Sequence, residues 1–131
     1  MRMDAGKLRR LWIAAGWGFV LLVIYLSLTP EPLPAPSVDN FKTGHILAYT
    51  WLMFWFAQAY LKLGTRLAIA IALCALGIGL EYAQLLTPHR TFAYSDMVDD
   101  AIGAAIGLAL ASTPLGGALA RIDSSRRKPT A

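Results

Sequence analysis

Four apolar stretches, about residues 11–28, 43–61, 67–86 and 97–120, occupy most of this chain, and polar residues gather where they begin or end. Leu11 to Leu28 carries no charge. As a helix it extends roughly 27 Å at about 1.5 Å per residue, close to a hydrocarbon core of about 30 Å. The second stretch is aromatic, with Tyr49, Trp51, Phe54, Trp55, Phe56 and Tyr60, and a short turn, Lys62 to Arg66, links it to the third as an antiparallel hairpin. Between the first two stretches, Pro30, Pro32, Pro34 and Pro36 remove backbone donors and favour extended chain, which predicts a loop over Thr29 to Phe41. Pro88 ends the third helix. Pro114 and the Gly116-Gly117 pair can kink or stop the fourth.

These elements predict an all-α fold: an integral membrane four-helix bundle forming one domain over residues 1–120, followed by a basic, disordered tail over 121–131. Composition agrees, since apolar residues make up 56% of the chain and charged residues 15%, with a mean hydropathy of +0.51. The basic leader before Leu11 resembles the start of a signal peptide, but the apolar run exceeds the usual length of about 7–15 residues and no small-residue cleavage site follows, so an uncleaved helix is expected.

Charge matters through its distribution. Ten of the twelve Lys and Arg residues fall in the leader, the Lys62–Arg66 turn and the tail, against Lys42 and Arg90 on the other side. Basic flanks stay in the cytoplasm, so both termini are expected inside a multi-pass protein of the inner (cytoplasmic) membrane. No basic helix with interleaved aromatic residues suggests nucleic acid as a partner. The single cysteine, Cys74, lies within the third apolar stretch and excludes an intrachain disulfide or a thiolate cluster.

The candidate chemistry lies at the predicted outer face. Lys42, His45 and Tyr49 are spaced i, i+3 and i+7 on one side of the second helix; Glu81 and Gln84 share a face of the third; Asp96 and Asp100 share a face of the fourth, continued by Gly103 and Gly107. A Gly-x-x-x-Gly spacing lets a helix approach its neighbour closely. Glu81 is the hardest to explain as mere structure, because a carboxylate inside an apolar helix needs a proton, a cation or a hydrogen-bond network. Lys42, His45 and Arg90 are the cationic candidates to meet it. No metal signature such as His-Glu-x-x-His is present, and neither a metal nor another cofactor is expected.

The strings Lys42-Thr-Gly-His45-x-x-x-Tyr49, Glu81-x-x-Gln84, Arg90, Asp96 and Asp100-Ala-Ile-Gly103-Ala-Ala-Ile-Gly107 resemble, in order and spacing, the VanZ-like family of small bacterial membrane proteins. The resemblance covers about residues 42–107. It implies a four-helix membrane domain, a polar set of Lys42, His45, Glu81, Gln84, Arg90 and Asp96, and an association with resistance to the glycopeptide teicoplanin. At the position of Asp100 the family usually has Asn, so this chain carries a carboxylate in place of an amide.

Two function classes are expected to compete. The leading one is a protein that binds or modifies an anionic envelope head group, with a membrane lipid or lipid-linked cell-envelope precursor as partner. Lys42 and Arg90 would supply positive charge, and Tyr49 and Gln84 neutral hydrogen bonds. The other is an intramembrane hydrolase or transferase with His45 and Glu81 as an acid–base pair. Transport is disfavoured, because the polar groups stop near one face.

Overall fold

The computed structural model describes residues 5–30 and 38–127, with side chains placed from Gly6 to Pro30 and from Thr43 to Arg126. The described residues are helical with no strand. Four long helices, α1 (Ala5–Leu28), α2 (Val38–Ala59), α3 (Leu63–Gln84) and α4 (Tyr94–Ala111), precede a 3-10 turn (Pro114–Gly117) and a short α5 (Ala118–Arg127).

Helix α2 is central and packs on all the other helices, most extensively on α4. Its Tyr49, Leu52, Met53, Phe56 and Ala57 form the core with Val20 of α1, Leu73 of α3 and Ala111 of α4. Two glycines let α4 approach so closely. A Cβ on Gly103 would lie 2.9 Å from the Cβ of Tyr49, and one on Gly107 would lie 2.7 Å from that of Met53. Thr50 closes the seam by donating its hydroxyl to the Gly103 carbonyl at 3.0 Å. The small-residue face predicted below Asp100 is therefore the α2–α4 contact. Aromatic packing holds α1 to α2: the Trp12 and Trp55 rings stack 3.8 Å apart, and each indole N–H donates to the other residue's backbone carbonyl at 2.9 Å.

The outer surfaces of these helices are apolar. Leu21 and Tyr25 on α1, Ile71 and Ile78 on α3, and Val98 and Ile102 on α4 are exposed, whereas Arg66, Glu81, Gln84 and Asp100 are buried. Such an arrangement is favourable where hydrocarbon surrounds the protein. Two helices, Gly6–Leu28 and Leu63–Gln84, are long and apolar enough to cross a membrane, and a third counts if Tyr94–Ala111 and Pro114–Arg126 form one broken span bent by 75°. This is compatible with a membrane protein. Helix α2, expected as a fourth span, has lower hydropathy because of its polar N-terminal half and its Trp and Tyr rings.

Several boundaries differ from those expected. Helix α1 begins at Ala5, taking in Lys7, Arg9 and Arg10, and α2 begins at Val38, so that Val38 to Phe41 are helical and Lys42 lies inside the helix. Helix α3 starts at Leu63, which puts Arg66 in its first turn. The fourth apolar stretch is broken where Pro114 and the Gly116-Gly117 pair lead one to expect: α4 ends at Ala111 and an α-helix resumes at Ala118. Pro114 cannot continue α4, Thr113 caps the 3-10 turn by accepting from the Leu115 N–H, and Gly116 packs against the Ala111 carbonyl too closely for any Cβ. Residues 121–127, expected to be disordered, continue the helix that begins at Ala118.

The start of α1 and the end of α2 meet at one end, where Arg9 Nε donates to the Ala59 carbonyl at 3.0 Å. Helix α5 lies at the same end. Gln58 donates to the Leu115 carbonyl at 3.0 Å and accepts from the Leu119 N–H at 3.3 Å. The α3–α4 connection lies at the opposite end, where His89 turns the chain with φ 62° directly after Pro88.

Candidate functional site

At the end away from α5, side chains from α2, α3 and α4 converge. His45 lies on the second turn of α2, and its Nδ1 is 2.8 Å from Asp100 Oδ1 of α4. An ionised carboxylate only accepts, so opposite ionised Asp100 the imidazole donates from Nδ1, and in its neutral form it carries its lone pair at Nε2. Nε2 faces Asp96 Oδ2 at 3.6 Å, one turn earlier on α4. The i, i+4 spacing of Asp96 and Asp100 thus places a carboxylate on each side of the ring. Asp100 is buried, while His45 and Asp96 are partly open.

Glu81, 1% exposed, enters from α3. Its Oε2 accepts from the Ala93 backbone N–H at 3.0 Å. Ala93 is the residue before α4, so the carboxylate meets orphan donors and the positive end of the helix dipole there. This gives Glu81 a structural role through one contact. It also brings the carboxylate to the site: one ligand atom from each of His45, Glu81 and Asp96 lies within 4.8 Å of both others. Asp96 sits in the first turn of α4 and hydrogen-bonds Ser95 Oγ at 3.3 Å; it does not cap the helix from outside.

Tyr49, one turn below His45, is 2% exposed, and its hydroxyl has no hydrogen-bond partner among the described residues. Its electrostatic neighbours are Asp100, Cys74 and Glu81.

Gln84 and Arg90 do not join this cluster. Gln84 donates to the Ser27 carbonyl at 3.0 Å. Arg90 donates from Nε to Thr29 O at 2.9 Å and from Nη2 to Leu26 O at 2.6 Å. Both satisfy carbonyls at the end of α1 that have no partner within the helix. Arg90 is therefore tied to α1, where sequence spacing suggested a head-group contact. The Lys42 side chain lies outside the described residues.

Sequence reasoning missed two contributors. Gly77, one turn before Glu81 on α3, packs directly on the Asp100 carboxylate, which a Cβ would displace. Its i, i+4 relation to Glu81 was the available signal. Arg66 is buried at the opposite end, with its guanidinium on the carbonyls of Tyr60, Ala57, Ala111 and Gly116 at 2.8–2.9 Å. Counted by position in the sequence, it looked like a surface charge that marks topology.

No family model matches this chain, and no solved structure matches it. It is similar to an uncharacterized protein of the yeast Schizosaccharomyces pombe, with 31% identity over 96 residues. The match takes in 70% of this chain and 57% of that protein, so the chain spans little more than half the length of this relative.

Proposed function

We propose that this chain is a multi-pass protein of the cytoplasmic membrane, and that His45, Glu81, Asp96 and Asp100 bind the polar head group of a membrane lipid or lipid-linked envelope precursor at its outer face. The observation that carries the reading is the convergence of four ionisable side chains from three helices, with apolar surfaces around them. Ionisable groups at such depth are costly and are retained chiefly for function. Membership of the VanZ-like family is proposed on the sequence strings alone. Any link to teicoplanin resistance rests on that membership.

The ligand chemistry differs from the sequence expectation. Arg90 is engaged with α1, and the converging groups are three carboxylates and an imidazole. They favour a head group that offers hydroxyl or ammonium donors. Mass spectrometry of gently purified protein is expected to find a co-purifying polar lipid that Glu81→Gln and His45→Gln fail to retain. Equal lipid profiles from folded wild type and both variants would reject the site.

Orientation follows from the basic residues. With buried Arg66 set aside, nine of the other eleven Lys and Arg still lie in the leader, at Lys62 or in the tail. In a Cys74→Ala background, a cysteine replacing His89 should react with an impermeant thiol reagent from outside, and one replacing Lys62 should not. The reverse labelling would put the cluster on the cytoplasmic side.

A second reading, an enzyme acting on the same head group, is favoured by the 2.8 Å His45–Asp100 contact. A carboxylate that fixes an imidazole and leaves Nε2 free to take a proton is the arrangement general-base catalysis needs. Turnover of a lipid-linked substrate that is lost in His45→Gln with binding intact would establish it.

A further inference from the structure

We propose that His45 Nε2, Glu81 and Asp96 bind a divalent transition-metal ion, with Asp100 holding the imidazole in place. The inference rests on reading these residues as one ligand site and adds an ion that residue spacing alone does not suggest.

Geometry comes first. Two ligands each about 2.1 Å from a tetrahedral ion lie about 3.4 Å apart, and no two ligands of one such ion can be more than about 4.2 Å apart. The His45 Nε2 to Asp96 Oδ2 separation is 3.6 Å, and one ligand atom from each of His45, Glu81 and Asp96 lies within 4.8 Å of the other two. Side-chain movements of under an ångström bring the whole set to coordination distance. The three residues come from three helices packed through a common core, which fixes their backbone positions.

The second observation is the Asp100 contact. A metal-binding histidine commonly donates its other ring N–H to a carboxylate, which fixes the tautomer and makes the free nitrogen more basic. Here Nδ1 meets Asp100 Oδ1 at 2.8 Å while Nε2 faces Asp96 Oδ2 at 3.6 Å. Gly77 makes room for this carboxylate on the α3 side. Among the described residues, the ion pairs made by Asp96 and Asp100 are both with His45. One imidazole beside three carboxylates leaves a net negative site, which a divalent ion would neutralise.

One nitrogen and two carboxylate donors suit zinc or manganese, and an ion held by three protein groups keeps at least one position for water or another oxygen ligand. Through that position a phosphate or a carboxylate could bind despite the acidic surroundings. The buried Tyr49 hydroxyl, without a partner among the described residues, lies beside the same cluster.

Untagged full-length protein in detergent, stripped with a chelator and titrated with zinc chloride, should bind one zinc ion per chain, with one imidazole in the zinc X-ray absorption spectrum. His45→Gln and Glu81→Gln should each weaken binding at least 100-fold. Asp100→Asn should weaken it by about 10- to 100-fold, as expected when a partner of a ligating histidine is lost. His89→Gln should leave it unchanged. Thermal unfolding reports whether each variant is folded, and the spectrum of wild type requires no variant. Absence of zinc binding by folded wild type, a spectrum without imidazole, or equal affinity in folded His45→Gln would overturn the metal site. Lipid retention is measured in parallel on both metal-free and zinc-loaded protein. Retention without zinc binding rejects only the ion, and zinc binding without retention rejects only the head-group reading.

Discussion

At the end where α2 meets α3 and α5, Arg66 gives its guanidinium to four backbone carbonyls, and both polar atoms of the Gln58 amide bond to main chain. At the other end, His45, Asp96, Asp100 and Glu81 face one another. Both ends bury polar groups; the first satisfies Arg66 and Gln58 on backbone alone, whereas at the second Glu81 and Gln84 reach main chain but His45, Asp96 and Asp100 are left to one another. The two buried side-chain atoms without hydrogen-bond partners among the described residues, Tyr49 Oη and Asp99 Oδ2, both lie at the second end. Satisfied donors on carbonyls mark structural glue, because their partners are fixed parts of the fold. Acceptors crowded around an imidazole mark a place where a proton, a cation or a ligand is wanted.

The comparison predicts a ranking of stability losses. Arg66→Ala should have the largest effect, since it strands carbonyls of the α2–α3 turn, α4 and the 3-10 turn in one step; about 4 kcal/mol is expected. Reversible unfolding in mixed micelles measures it, and a loss under about 1 kcal/mol would remove the claim that this end is a structural anchor. Asp100→Leu should cost less, roughly 1–3 kcal/mol, from leaving the His45 Nδ1–H without its acceptor. Asp100→Asn should cost least, under about 1 kcal/mol, because the amide oxygen can still accept that bond. Were Asp100→Asn as destabilising as Asp100→Leu, the carboxylate charge itself would be holding the fold, and the contrast between the two ends would narrow.

Much was legible in the sequence. Runs of apolar residues interrupted by proline announced long helices, because the 3.6-residue period and proline's missing donor act locally. The same period put Asp96 with Asp100, and His45 with Tyr49, on shared faces. Gly103 and Gly107 announced a close helix contact, since the absence of a side chain is itself a packing instruction.

Local periodicity and composition are enough to specify the helices, the faces their polar residues share and the bias of basic charge to one side. Tertiary structure alone decided how each helix is rotated about its axis. That rotation turned Gln84 to the end of α1 and brought Glu81 to the start of α4 beside His45, while the α3–α4 connection carried Arg90 to the same end of α1. It also made Arg66 a buried anchor, because a long side chain bonds whichever carbonyls the neighbouring helix ends leave open, and those are fixed only when the helices dock. Local spacing specifies which residues can act together on one helix; only packing between helices specifies which of them do.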